Sequence, residues 1–158
     1  MADSIQFSII GLNPLLAKLE SVSYDMKRKG GRFALRKAAQ VVEKALKQNS
    51  ARVDDPQTGR SIPANVVIRW SGRLFKRTGN LGFRVGILHG AILKKGGSTE
   101  ANAPTPHWRL LEFGTEKMRA RPFARQSLES NIGQATNEFV SQYQKALDRA
   151  IKRAARRK

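Results

Sequence analysis

Glu112 and Glu116 lie four residues apart, with His107 shortly before them. Two carboxylates and an imidazole in one segment are the raw material of general acid–base catalysis or of a metal site. Four-residue spacing brings side chains together only on an uninterrupted helix. Gly114 stands between the two glutamates, so that geometry cannot be assumed. The pair reads better as one structural Glu in a tight turn and one surface Glu. The hydroxyl residues offer no more, because none lies in a nucleophile elbow of the Gly-x-Ser-x-Gly kind. Thr58-Gly59-Arg60-Ser61 and Lys76-Arg77-Thr78-Gly79 have neither the length nor the lysine position of a phosphate-binding loop. The chain has no cysteine, which removes disulfides, thiol nucleophiles, iron–sulfur clusters and Cys-based zinc sites. Its two histidines, His89 and His107, are too few and too far apart for a His-rich metal centre. No catalytic residue, cofactor or metal is expected.

Positive charge, by contrast, is plentiful. The 158 residues carry 30 Lys plus Arg against 12 Asp plus Glu, a formal charge of +18. Such an excess favours nucleic acid, an anionic membrane or an acidic protein as partner. Residues 1–60 hold 11 basic and 6 acidic side chains, 61–111 hold 8 and 1, and 112–158 hold 11 and 5. The charge is therefore spread, with two concentrations. One is the middle stretch of Arg69, Arg73, Lys76, Arg77 and Arg84; the other is the C-terminal end, Lys152, Arg153, Arg156, Arg157 and Lys158. Either set could contact DNA or an acidic neighbour. For the tail, a cationic helix end favourable against the macrodipole is the plainer reading. Trp70, Phe75 and Phe83 stand among the middle set and could stack bases. Without an RNA-binding signature beside them, Trp70 and Phe83 are expected to face inward while the arginines face out.

The elements that must position these residues are legible in outline. Ser4 to Ile10 alternates like a half-buried strand, and Asn13-Pro14 opens a helix to about Met26. Lys27 to Gly31 reads as a basic, glycine-containing break. A second helix is expected from about Arg32 to Gln48, where Leu35, Ala38, Ala39, Val42, Ala45 and Leu46 keep helical spacing. Residues 49–64 read as a loop, Val66–Trp70 as a strand, Ser71–Asn80 as a basic turn and Leu81–Leu88 as a second strand. Residues 90–106, with Gly96-Gly97 and two prolines, read as a long flexible connection. His107 to Phe113 is an apolar–polar segment followed by a turn at Gly114, so two or three strands are expected before the last helix. From Pro122, apolar residues hold helical phase for most of the remaining chain, and Gly133 either bends it or divides it into a short and a long helix. The order predicts a single α+β domain spanning 1–158, an antiparallel sheet packed against N-terminal helices and a long C-terminal helix. No apolar run approaches the roughly 20 residues of a membrane span, and no signal-peptide pattern opens the chain, so it is expected to be soluble and unexported.

One segment is more specific. From His107 the chain reads His-Trp-Arg-Leu-Leu-Glu-Phe-Gly-Thr-Glu-Lys-Met-Arg-Ala-Arg-Pro-Phe-Ala-Arg. It closely resembles the signature of minor tail-component proteins of tailed phages, the family that includes lambda-like tail-completion proteins. That pattern is an aromatic-rich strand entering Glu-Phe-Gly-Thr, a short variable loop, then Ala-x-Pro-Phe opening the last helix. Here the positions are Glu112, Phe113, Gly114 and Thr115, then Ala120, Arg121, Pro122 and Phe123. The upstream pieces Asp55-Pro56 to Ser61-Ile62-Pro63, and Ser71-Gly72-Arg73 through Thr78-Gly79 to Phe83-Arg84-Val85-Gly86, agree in order. The proline usual soon after Pro-Phe is replaced by Gln126 or Ser127. Gly114 would turn the chain sharply, Glu112 and Thr115 would bond backbone groups of the turn, Pro122 would fix the helix start, and Phe123 would anchor it on the sheet. These residues are expected to hold the fold together more than to form an interface.

The resemblance implies a structural virion protein of the neck or proximal tail end, present in host cytoplasm during assembly. It would form a ring, of six subunits by analogy, that completes the tail. Its partners would be other copies of itself, a tail terminator or tail tube protein and the head–tail connector, with genomic DNA in the channel as a further contact and no membrane. Loops 49–64 and 90–106 would order on meeting neighbours. The competing reading is a free-standing, non-sequence-specific nucleic-acid-binding protein using Arg69 to Arg84. A third, an enzyme acting on an anionic polymer, would require Glu112 or Glu116 in catalysis.

Overall fold

A computed structural model describes residues 24–55, 61–88 and 105–156. The strand expected over residues 4–10, most of the helix expected over 14–26, most of the connection expected over 90–106, and Arg157 and Lys158 lie outside the described residues. The order is helix α1 (Tyr24–Val53), a 3-10 turn (Pro63–Asn65), strand β1 (Val66–Trp70), helix α2 (Gly72–Thr78), strand β2 (Phe83–Ile87), helix α3 (Trp108–Phe113), helix α4 (Phe123–Glu129) and helix α5 (Ile132–Ala155). The fold class is α+β, with a two-stranded antiparallel sheet and a long C-terminal helix.

The described chain divides into two compact units. The first contains residues 24–38, 71–83 and 133–156. Its core is Ala34 of α1 against Val140, Tyr143 and Leu147 of α5, with Phe139 packed on it. Val140, Tyr143 and Leu147 recur at three- and four-residue spacing, which places them on one face of α5. The supposed break at Lys27 to Gly31 is continuous helix instead. Its glycines serve packing: a Cβ on Gly30 would lie 3.2 Å from the Tyr143 ring, and one on Gly31 would lie 3.1 Å from Leu81 Cδ1. Helix interior glycine costs about 1 kcal/mol relative to alanine, and close approach of neighbouring side chains offsets it.

In the second unit, residues 39–70 and 84–132, the core is Leu46, Ile62, Val66 and Phe123, with Val85, Ile87, Trp108 and Leu111 packed around it. The strand register follows from one bond, Leu88 N–H donating to the Asn65 carbonyl at 2.9 Å. It sets Val66 opposite Ile87, Ile68 opposite Val85, and Arg69 opposite Arg84. Alternation then puts Val66 and Ile68, with Val85 and Ile87, on the core face. Arg69 and Arg84 emerge on the other face, and both are exposed.

Four further expectations are corrected. Ser71–Asn80 is not a turn; it contains α2, ended by Gly79, whose φ of 72° is the left-handed C-terminal conformation glycine accepts readily. His107–Phe113 is not a strand but the short helix α3, whose first bonds run to the His107 carbonyl from Leu110 and Leu111. The last helical region divides before Gly133: Ser130 and Asn131 separate α4 from α5, and the Asn131 side-chain amide donates to the Ser127 carbonyl at 3.0 Å, a bond that competes with helix continuation. The loop expected from residue 49 is helical as far as Val53.

Candidate functional site

Glu112 closes α3 and is 5% exposed. Its Oε2 accepts the Ala124 N–H at 2.8 Å, and its Oε1 accepts the Arg125 N–H at 3.0 Å. Those are the second and third residues of α4, whose N-terminal amides have no partner within the helix. Pro122 precedes α4 with no side chain able to cap it. Glu112 therefore caps a helix from outside it, through two charge-assisted bonds and with its negative charge at the positive end of the dipole. The expectation that Glu112 bonds a turn holds in kind, but its target is the start of the next helix.

The link between Glu112 and that helix is a tight loop. Gly114 has φ 76° and ψ −179°, a region essentially confined to glycine. A Cβ there would stand 2.8 Å from Ala120 N and 2.9 Å from the Met118 carbonyl oxygen. Thr115 holds the loop as expected: its Oγ1 accepts from Met118 N–H at 3.1 Å and from Lys117 N–H at 3.3 Å, and its own N–H donates to the Met118 carbonyl at 2.9 Å. Arg121 N–H then returns to the Leu111 carbonyl at 2.7 Å. Phe123, 3% exposed, fills the core beside Leu46, Ile62 and Val66. Phe113 departs from expectation. It is 65% exposed and shares an outward face of α3 with Leu110, so it is no part of the cores among the described residues.

The acid–base constellation does not assemble. Both Glu112 oxygens are engaged with backbone, Glu116 is exposed in the loop, and His107 turns to another residue. His107 Nε2 lies 3.7 Å from Asp54 Oδ1, while Asp54 Oδ2 accepts the Ile62 N–H at 2.9 Å. No group of three or more His, Cys, Asp or Glu among the described residues could hold a metal. In sequence Asp54 is only a residue of the loop expected over 49–64, because its partner His107 lies far along the chain.

The basic residues are presented to solvent. Arg69 and Arg84 face each other across the sheet as like charges, about 5.5 Å apart at Cα in a hydrogen-bonded antiparallel pair. In the other unit, Arg73, Lys76 and Arg77 lie at three- and four-residue spacing on α2, all exposed. Lys152, Arg153 and Arg156 are exposed at the end of α5. By alternation the strand aromatics stand on the face opposite Arg69 and Arg84: Trp70 has the parity of Val66 and Ile68, and Phe83 that of Val85 and Ile87. Phe75 already carries a cation, with Arg28 Cζ 4.6 Å from its ring centroid.

A family described as "Bacteriophage HK97-gp10, putative tail-component" matches residues 14–114. The chain belongs to that family. The match spans almost two thirds of the chain and includes the whole sheet, α2, α3 and the Glu112-Phe113-Gly114 corner; Thr115, Pro122 and Phe123 lie just beyond it. No curated protein and no solved structure matches the chain. The family assigns a phage tail component, which places the protein among virion structural proteins and their interactions. Among the described residues, no helix is long and apolar enough to cross a membrane.

Proposed function

We infer that this chain is a structural part of the phage neck or proximal tail end, where copies form a closed ring that completes the tail and joins it to the head connector. The observation that carries this reading is the tail-component family match over residues 14–114. Glu112, Gly114, Thr115, Pro122 and Phe123 are the internal frame of the subunit, and none of them is assigned a reaction. Closed rings use heterologous contacts, one patch of each subunit meeting a different patch of the next. The exposed Leu110 and Phe113 supply an apolar patch of the kind that assemblies cover.

The charge fits a docking or lining surface. A ring of six gathers six +18 chains, and repulsion between exposed charges acts over about 8 Å at physiological salt. Arg69, Arg73, Lys76, Arg77 and Arg84, with Lys152, Arg153, Arg156 and Arg157, are therefore assigned to DNA in the channel or to an acidic tail terminator, tube or connector protein. No cofactor enters this role. Quantitative mass spectrometry of purified particles tests it. About six copies per particle are expected of a single ring, and absence from purified virions removes the reading.

The Arg69–Arg84 pair, unrelieved by any carboxylate in the register, favours a second reading: a free-standing nucleic-acid-binding protein. That reading requires tight, steeply salt-dependent binding to DNA or RNA by the isolated chain, together with absence from particles.

A further inference from the structure

We propose that the groove between α1 and α5 in the first unit binds an acidic amphipathic helix of a neighbouring virion protein. The groove is open to solvent and offers about 600 Å³. Its rim carries Lys29 from α1 and Arg149 and Arg153 from α5, and no acidic residue is among the described residues that line it. Phe33 stands in it 42% exposed, an unusual position for a large apolar ring. Two cations attend that ring, Arg149 Cζ at 5.8 Å and Lys37 Nζ at 5.9 Å from its centroid. The Arg149 head is steadied by donation from its Nε to the Lys145 carbonyl at 3.2 Å.

The wall opposite is shallow. Ala146, Ala150 and Ala154 repeat every four residues along α5, so its side chains stand only one methyl deep over about 12 Å, or two turns. The groove thus joins a cationic rim to an apolar floor that lets another backbone come close. A helix with an apolar stripe flanked by carboxylates answers both features at once: the stripe covers Phe33 and the alanines, and the carboxylates meet Lys29, Arg149 and Arg153. A nucleic-acid strand answers one. Its phosphates would use the rim but leave the alanine wall uncovered, and Lys37 and Arg149 already attend the one ring on which a base could stack. Among these residues only Arg153 belongs to the basic clusters evident in sequence. The partner's place in a virion rests on the function proposed above; the chemistry of the groove does not.

The test is fluorescence anisotropy with the full chain and a labelled synthetic peptide of about four helical turns, leucines on one stripe and glutamates flanking it. A scrambled peptide of identical composition and a thymidine oligonucleotide serve as competing probes. The amphipathic peptide is expected to bind at least about tenfold more tightly than its scramble, a difference of about 1.4 kcal/mol. Ala150→Trp, which fills the groove and keeps every charge, and Arg149→Glu with Arg153→Glu should each remove that binding. Arg69→Glu with Arg84→Glu should leave it intact. If Ala150→Trp fails to fold, Ala154→Trp takes its place. Equal binding of peptide and scramble overturns the proposal, as does oligonucleotide binding that Ala150→Trp blocks while the peptide does not bind. Absence of the chain from virions would remove the assembly role and leave the peptide result standing; failure of the peptide alone would do the reverse.

Discussion

The carboxylate of Glu112 accepts the backbone N–H of Ala124 at 2.8 Å, across a loop that turns on Gly114. One residue thereby ties the end of α3 to the start of α4. The part of the sequence that looks most like an acid–base site is a helix cap supplied from a distance.

Replacing Glu112 by Gln leaves one acceptor oxygen for two amides and removes the charge at the helix start. The loss expected is about 1–3 kcal/mol, because a buried N–H is left unpaired. Glu116→Gln, on an exposed side chain, should stay within about 0.5 kcal/mol. Urea denaturation of both variants separates a cap from a catalytic pair: similar effects of the two substitutions would contradict the assignment.

Gly114→Ala should cost at least about 2 kcal/mol, since it adds a non-glycine conformation to a backbone clash at 2.8 Å. Gly79 makes the control. Its φ of 72° and ψ of −8° lie in the left-handed region, and nothing lies within 4 Å of a Cβ placed there. Gly79→Asn should therefore cost less than about 1 kcal/mol. Thermal melts that rank the two the other way would refute the loop geometry.

Arg84→Glu converts a like-charge cross-strand pair into an opposite-charge one and should stabilise the chain by about 0.5 kcal/mol. If Arg69 and Arg84 dock DNA or an acidic neighbour, the same variant should lower the yield of infectious particles. A variant that is more stable and fully functional would show that the pair has no such duty.

Burial raises the pKa of the Tyr143 phenol above its ordinary value of 10.0. Its folded pKa lies above its unfolded one, so the unfolded chain loses this proton first as pH rises. The stabilisation is whole below about pH 10 and is lost as pH climbs through the folded value. Tyr143→Phe should flatten that alkaline loss relative to the native chain; parallel stability curves above pH 10 would contradict it.

How far the sequence could be read depends on the range of each interaction. The Leu35-to-Leu46 periodicity and the β-branched run Val66–Trp70 are local: the first lies within α1, which runs further at both ends than the period shows, and the second is β1. Gly114 and Phe123 obey local rules too, of turn geometry and of an apolar residue opening a helix. Trp108–Phe113 spans too few residues for a helical period to separate from an alternating one, so sequence alone does not tell α3 from a strand. Gly30 and Gly31 read as a break because the Tyr143 and Leu81 side chains that they accommodate lie far along the chain. For the same reason Asp54 to His107 and the Phe33 groove were invisible: nothing local announces a partner fifty or a hundred residues away. The outward aim of Phe113 is likewise a tertiary fact.

The most direct test of the central claim is electron cryo-microscopy of intact particles, with symmetry left free at the neck and tail end. A closed ring of this chain is expected at that junction, with Arg69 and Arg84 turned toward the DNA channel or an acidic neighbour. A particle whose neck and tail end contain no density for the chain, or a ring with both arginines on its outer, solvent-facing wall, would contradict it.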